Sequence, residues 1–231
     1  MIKSVHLHRM LAAALLCAQA VSVTTGNAQI VDLFFSTATS APGVHYACPA
    51  GDGDLLSANG LTITVTLIDN TQVPMPNVPA TDMWIADCSP GGLVLCSATE
   101  SPFVGGVTDA AGIIMLDGSL AASGCDNSGL YVVVQGFLIP TCVPITVRTP
   151  DMKSGGAPGP PACGGEILCP DGKVTLADLA YFLTHYPTAA NPTPPYVPCV
   201  DFWTPYGAPV TLVDFVKMAS HYSNSPAHQC L

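Results

Sequence analysis

The chain has 231 residues, with 6 basic and 16 acidic side chains and a formal net charge of −10 at pH 7. Charged residues make up only 10% of the chain. Because binding to nucleic-acid phosphates depends on clustered Lys and Arg, this composition argues against a nucleic-acid partner.

The first residues predict export. Lys3 and Arg9 precede an apolar run over residues 10–23, and Ala28 provides a small residue at a cleavage site. We interpret residues 1–28 as a signal peptide, because the run is shorter than the roughly 20 apolar residues that a membrane-spanning helix needs. Cleavage leaves 4 basic and 16 acidic residues, hence a net charge of −12. We expect this mature chain to have no membrane span and to be secreted, either extracellular or held at the cell surface.

The cysteines are typical of an oxidising compartment. They contain no C-x-x-C pair and fit no zinc motif by spacing, so we expect disulfides. We expect the four cysteines of the last 70 residues to pair among themselves and one of the first five to stay unpaired. Those that follow the signal peptide are Cys48, Cys88, Cys96, Cys125, Cys142, Cys163, Cys169, Cys199 and Cys230.

Residues 29–148 predict an all-β domain. Residues 61–68 alternate apolar and hydroxyl side chains with a period of two, which is typical of a strand with one buried face. Six or seven short strands separated by turn residues predict a sandwich. The other strands are expected at residues 31–35, 83–86, 113–116, 130–134 and 144–148.

Part of this domain resembles the invasin-type bacterial immunoglobulin-like repeats. The similar features are the strand at residues 62–69, the prolines Pro76 and Pro79, and the turn Thr108-Asp109-Ala110-Ala111-Gly112. The resemblance implies an all-β immunoglobulin-like sandwich that acts as a spacer or an adhesive domain.

Residues 149–162 predict a linker, because the stretch is rich in glycine and proline. Residues 163–231 then form a second domain, small enough to need disulfides for stability.

This last segment repeats itself with a shift of 36 residues. Val174-Thr175-Leu176 and Asp178 recur as Val210-Thr211-Leu212 and Asp214. Each copy begins like a capping box and continues with apolar residues at helical spacing, which predicts two equivalent loop-helix units. The inward stripes are expected to be Leu176, Leu179, Leu183 and Tyr186 on the first helix, and Leu212, Phe215, Ala219 and Tyr222 on the second.

The duplicated unit resembles the dockerin module, whose loops of the EF-hand type bind calcium. Residues 171–178 match the fifth to twelfth positions of such a loop, whereas Cys169 and Ile167 stand where earlier ligands would be. The second copy keeps the start and the end of the loop, with residues 203–206 in place of its middle. The resemblance implies calcium ligands among Asp171, Thr175, Asp178, Asp201, Thr211 and Asp214. The alternative is that these threonines and aspartates only cap helices, with disulfides closing the loops.

Dockerins bind cohesin domains and often attach extracellular proteins such as polysaccharide-degrading enzymes to scaffolds. We therefore expect a secreted bacterial, non-catalytic recognition or attachment protein with a cohesin-like or other extracellular protein as its partner; alternatively, the helices pack on the chain's own sandwich. By resemblance, the partner-binding residues are Leu176, Ala177, Leu183, Thr184, Leu212, Val213, Ala219 and Ser220.

Catalytic motifs such as G-x-S-x-G and H-E-x-x-H do not occur in the sequence. Asp52 and Asp54 form the closest acidic pair, which is typical of a solvated turn and is also compatible with a weak cation site. His185 and His221 recur at equivalent positions, which favours a structural role. Two other classes stay open. One is a structural or adhesive spacer, favoured by a buried Trp84. The other is a small enzyme or a carbohydrate-binding or polysaccharide-degradation accessory protein with a site on the sandwich, where exposed aromatic residues would favour sugar binding.

Overall fold

The computed structural model describes residues 30–88, 93–96, 102–103, 105–126, 128–152, 172–188, 191, 194, 198–202 and 210–222. From Val31 onward they belong to one compact unit. The predicted signal peptide, residues 153–162 of the predicted linker, and Cys163, Cys169, Asp171 and Cys230 lie outside the described residues.

The described part of the chain is mostly β-sheet with two α-helices, which confirms the all-β prediction for the first domain and the two predicted helices. The helices are α1, Leu176–His185, and α2, Leu212–His221. Short 3-10 helices cover Leu56–Asn59, Ala80–Asp82 and Pro198–Val200. The strands are β1 Thr37–Thr39, β2 Gly43–Tyr46, β3 Ile63–Thr66, β4 Met83–Asp87, β5 Leu93–Leu95, β6 Ile113–Leu116, β7 Ala122–Asp126, β8 Leu130–Val134, β9 Phe137–Leu138 and β10 Ile145–Arg148.

The strands pair in three groups, in the orders β1-β3-β6, β2-β10-β7-β5 and β4-β8-β9. Among these pairs, β2 and β10 run parallel and the others run antiparallel. In β3, Ile63 and Val65 are fully buried while Thr64 and Thr66 are half-buried, as the period-two pattern predicts. The apolar side chains of all three groups meet in one core.

The strand predicted at residues 31–35 is wrong. Residues 33–35 form a turn instead, and the side chain of Phe34 is 93% exposed. The Asp32 carboxylate accepts a hydrogen bond from the backbone N–H of Phe34, and the Asp32 carbonyl accepts one from Ser36. Local aspartate hydrogen bonds of this kind compete with strand pairing, which explains the difference.

The Thr-Asp-x-x-Gly motif is a structural turn. The Thr108 hydroxyl donates to the Met75 carbonyl and accepts from the Val78 N–H. The Asp109 carboxylate accepts from the N–H groups of Ala111 and Ile113. These hydrogen bonds hold the proline segment between β3 and β4 against the turn that precedes β6, so the motif needs no ligand to explain it.

Both helices share a second core with strand β2. Phe182 of α1 and Met218 of α2 are buried together with Tyr46 at the end of β2. The helices therefore pack on the chain's own sandwich through their buried sides, as the alternative interpretation expects. The buried members of this core are Tyr46, Cys48, Met152, Val174, Phe182, Val200, Phe202, Val210 and Met218.

One disulfide also connects the sandwich to the Pro198–Val200 segment that precedes α2. Cys88 pairs with Cys142 inside the sandwich, whereas Cys125 on β7 pairs with Cys199 in the Pro198–Val200 segment. The expectation that Cys199 pairs with another C-terminal cysteine is therefore wrong, because the helices lie close enough to the sandwich for a bond across the predicted linker. Cys48 is buried and forms no disulfide, which confirms one unpaired thiol among the first five cysteines.

Candidate functional site

The two capping aspartates are placed alike in both copies. The carboxylate of Asp178 accepts hydrogen bonds from the backbone N–H and the hydroxyl of Thr175, at 2.7 and 3.0 Å, and from the N–H of Met152 at 2.7 Å. Asp214 accepts from the N–H and hydroxyl of Thr211 and from the N–H of Phe202, each at 2.7 Å. Both carboxylates are fully buried. Each one therefore starts a helix and also ties it to a distant segment.

Asp201 is held by a different partner. Its carboxylate lies 3.8 Å from the guanidinium of Arg148, both side chains are fully buried, and Arg148 also donates to the Asp201 carbonyl. Removing either member would leave the other charge buried, so the pair holds Asp201 beside β10. Among the described residues predicted as calcium ligands, the observed partners are thus protein groups. Calcium binding stays a prediction, and Asp171 lies outside the described residues.

The predicted partner-binding residues are largely accessible. Leu176 is 66% exposed and Leu212 is 64% exposed, and only Ala177 of the predicted set is half-buried. Val216, four residues after Leu212 on α2, is also exposed and was not among the predicted residues. The exposed members of the predicted set are Leu176, Leu183, Thr184, Leu212, Val213, Ala219 and Ser220.

The predicted inward stripes are correct for Leu179, Tyr186, Phe215 and Tyr222, which pack on the second core, and wrong for Leu176, Leu183, Leu212 and Ala219, which are exposed. The capping aspartates explain the difference. Because Asp178 and Asp214 point inward to reach their N–H donors, the residues four positions later, Phe182 and Met218, share the buried face. The leucines directly after the caps are consequently turned outward.

Polar groups surround the place where α2 meets β2. The Lys217 ammonium lies 2.6 Å from the Asp54 carboxylate and 4.5 Å from the centre of the Tyr46 ring. The Tyr46 hydroxyl donates to the Lys217 carbonyl at 3.2 Å. Helix α2 is therefore joined to the sandwich by an ion pair, a cation-π contact and a hydrogen bond.

A thiol, a carboxylate and an imidazole converge at the same junction. The metal-ligating atoms of Cys48, Asp52 and His221 all lie within 4.8 Å of one another. The Asp52 carboxylate is 3.6 Å from Nδ1 of His221. Among the described residues, no other group of three His, Cys, Asp or Glu side chains is this compact. We call these three residues the junction cluster.

The loop after β2 places two members of the junction cluster. The N–H of Gly51 donates to the Cys48 carbonyl, and Gly51 adopts a positive φ of 72°. A side chain at Gly53 would collide with the Tyr46 carbonyl. The two glycines thus let the chain turn tightly enough to bring Asp52 back to Cys48. Sequence reasoning named Asp52 as part of a turn but did not bring it together with His221.

In the junction cluster the thiol is buried, whereas the carboxylate is partly exposed to solvent. Cys48 is fully buried, and burial is the main cause that raises the pKa of its thiol above the usual range. The Asp52 side chain is 44% exposed. A thiol that resists ionisation is a poor nucleophile, so the arrangement does not favour cysteine catalysis.

His45, on β2, is a further buried group. Both of its ring nitrogens lack a hydrogen-bond partner within the described part of the chain, and its side chain is fully buried. Desolvation lowers the pKa of His45 to about 4. The imidazole is therefore neutral at physiological pH.

No family model, curated protein or solved structure matches this chain. Within the described residues, no helix is long and apolar enough to cross a membrane.

Proposed function

We propose that this chain is a secreted, non-catalytic bacterial recognition protein, in which an immunoglobulin-like sandwich carries a dockerin-like pair of helices that binds another extracellular protein. The observation that carries the proposal is the equivalent exposure of Leu176 and Leu212. Each follows a capping threonine, and each presents about two thirds of its surface to solvent.

The binding surface is the outer helix face, which we define as Leu176, Leu183, Leu212, Val213 and Val216. All five are exposed, whereas Phe182 and Met218 of the same helices are fully buried. On α2, Leu212 and Val213 lie within about one turn of Val216, and clustered exposed apolar side chains mark protein-binding surfaces more often than isolated ones do. The buried sides of both helices already fill the second core, so the outer helix face is not needed for folding.

The helices are held rigidly behind this face. Their starts are fixed by Asp178 and Asp214, and the Cys125–Cys199 disulfide anchors the segment between them to β7. A surface whose backbone is already ordered loses less conformational entropy when it binds. This arrangement suits attachment, in which one stable face binds a partner and no group needs to move.

The chemistry of the helices specifies the partner's surface. Apart from His185 and His221 at their ends, their acidic and basic side chains are Asp178, Asp214 and Lys217; the two aspartates are buried, and Lys217 pairs with Asp54. A partner must therefore offer an apolar face rather than a charged one, as a cohesin-like sheet would. Contacts of this kind are weakly sensitive to ionic strength, unlike contacts between exposed charges.

Photo-crosslinking tests both the face and the partner. A photoreactive phenylalanine analogue would replace Leu176 or Leu212 in the full chain, and the chain would be exposed to the extracellular proteins of its producing cells. Met115 on β6 is a matched control, because it is apolar and 66% exposed but lies on the sandwich. We expect positions 176 and 212 to crosslink the same protein and position 115 not to do so. Equal crosslinking from all three positions, or none from the helices, would contradict the proposal.

A second candidate function is glycan binding by the sandwich. Trp84 and Tyr131 are half-buried, and the register of β4 and β8 places Trp84 opposite Val133 and Ala86 opposite Tyr131. The two aromatic residues are therefore diagonal neighbours on one sheet face, within reach of one another. Affinity electrophoresis through gels that contain polysaccharides tests this function. Retardation that Trp84→Ala removes would support it, and unretarded migration would favour a spacer role for the sandwich.

A further inference from the structure

We propose that the junction cluster, Cys48, Asp52 and His221, binds one zinc ion between the sandwich and α2. The cluster supplies one thiol sulfur, one imidazole nitrogen and one carboxylate oxygen, which are the three donor types that zinc uses in proteins. This site is separate from the loops whose residues resemble calcium ligands.

The distances suit the ion. Bonds from zinc to oxygen, nitrogen and sulfur are roughly 2.0–2.3 Å, so tetrahedral ligand atoms lie about 3.3–3.6 Å apart. The Asp52 oxygen and Nδ1 of His221 are already 3.6 Å apart. All three ligand atoms fall within 4.8 Å of one another, so a movement of about 1 Å completes the contact with Cys48.

The surroundings favour zinc over a hard cation. Calcium takes six to eight oxygen ligands, whereas this cluster offers a single carboxylate together with sulfur and nitrogen. Cys48 forms no disulfide, although Cys88, Cys125, Cys142 and Cys199 do. The partly exposed Asp52 opens the cluster to solvent, so that water can fill the fourth position of a tetrahedral site.

Binding has a simple proton balance. The Cys48 thiol loses one proton to the solvent and binds as a thiolate, while His221 binds in its neutral form and Asp52 as a carboxylate. Neither the zinc ion nor any ligand atom changes its oxidation state. Two ligands come from the loop after β2, and the third, His221, is the last residue of α2. The ion would therefore stabilise the contact between α2 and the sandwich.

The first repeat contains an internal control. His185 is the equivalent of His221, but its Nδ1 lies 2.9 Å from the Thr184 hydroxyl and 3.1 Å from the Tyr181 carbonyl, and its ring packs on Tyr181. The repeat therefore provides two matched histidines, of which one reaches a thiol and a carboxylate. Replacing each in turn separates metal binding from a general contribution of the helix ends.

Cobalt(II) titration of the full chain tests the proposal. The chain, with its disulfides intact, would first be treated with a chelator and dialysed. Cobalt then reports its ligands, because a thiolate ligand gives a charge-transfer band in the near ultraviolet. We expect one cobalt ion per chain with this band, displaced by one equivalent of zinc. Cys48→Ser should remove the band, Asp52→Asn and His221→Gln should each weaken zinc binding at least tenfold, and His185→Gln should leave it unchanged.

Three results would overturn the proposal. The first is a wild-type chain that binds cobalt without the thiolate band, or binds none. The second is a band that persists in Cys48→Ser, which would place the ion on another thiol. The third is equal weakening by His185→Gln and His221→Gln. Circular dichroism without metal checks that each variant folds, and Asp52→Asn, on a partly exposed turn, keeps the test decisive if Cys48→Ser does not fold.

Discussion

The carboxylate of Asp214 accepts a hydrogen bond from the backbone N–H of Phe202 at 2.7 Å, 12 residues earlier in the chain. Asp178 makes the equivalent contact with Met152 in the first copy, although Met152 lies 26 residues earlier and follows β10. The equivalent capping aspartates thus differ: Asp214 closes a loop of its own repeat, whereas Asp178 binds the segment that follows β10.

The first prediction concerns this cap. Asp214→Ala leaves donors without their acceptor, among them the N–H of Phe202 and the N–H and hydroxyl of Thr211. Because the site is fully buried, we expect a loss of about 3 kcal/mol in the free energy of unfolding. Urea denaturation measures it, and Asp178→Ala should cost a similar amount. A loss below about 0.5 kcal/mol would show that these hydrogen bonds are replaced by water.

The second prediction concerns calcium. The capping carboxylates already accept hydrogen bonds from backbone and hydroxyl donors, so we expect the helices to form without an ion at these positions. We expect calcium added to the chelator-treated chain to leave its helix content unchanged, as followed by circular dichroism. A rise in helix content on addition of calcium, absent in Asp178→Ala, would instead support the calcium loops that the dockerin resemblance implies.

The third prediction concerns pH. The pKa of His45 in the folded chain is about 4, below its usual value of 6.5, so between these values the unfolded chain binds a proton that the folded chain does not. The contribution of neutral His45 to stability is therefore complete above pH 6.5 and falls by about 3 kcal/mol as the pH drops to 4. Denaturation of His45→Leu across this range should show a shallower loss than the wild-type chain. Parallel curves would contradict the prediction.

The fourth prediction concerns the disulfide between the sandwich and the helical part. Peptide mapping without reduction should recover a fragment that joins Cys125 to Cys199. Replacing both by serine should lower the free energy of unfolding by about 4 kcal/mol, because the bond closes a loop with a sequence separation of 74 residues. Recovery of Cys199 bonded to another C-terminal cysteine would restore the pairing expected from the sequence.

Local patterns predicted much of this fold. The alternation around β3 predicts a half-buried strand, and the Thr-x-x-Asp spacing at Thr175 and Thr211 predicts helix starts; both predictions are confirmed. The wrong assignment of the inward helix faces has the same physical cause in both helices. The inward face of each helix depends on donors from Met152 and Phe202, which lie outside the helix and so leave no mark on its own periodicity.

The junction cluster was out of reach for the same reason. Cys48 and Asp52 lie close together in the sequence, but His221 reaches them only because α2 packs on the end of β2. The sequence offered one indirect signal, an odd number of cysteines in a chain expected to form disulfides. That signal predicts an unpaired thiol, yet it does not say which histidine or carboxylate lies beside it.

The affinity of the outer helix face for the protein that crosslinks to it tests the central claim most directly. Titration calorimetry would compare the wild-type chain, the double variant Leu176→Asp with Leu212→Asp, and the control Met115→Asp. We expect the double variant to weaken binding at least tenfold, because buried aspartates oppose an apolar contact, while Met115→Asp and a rise in salt change it little. Wild-type affinity in a correctly folded double variant would contradict the account.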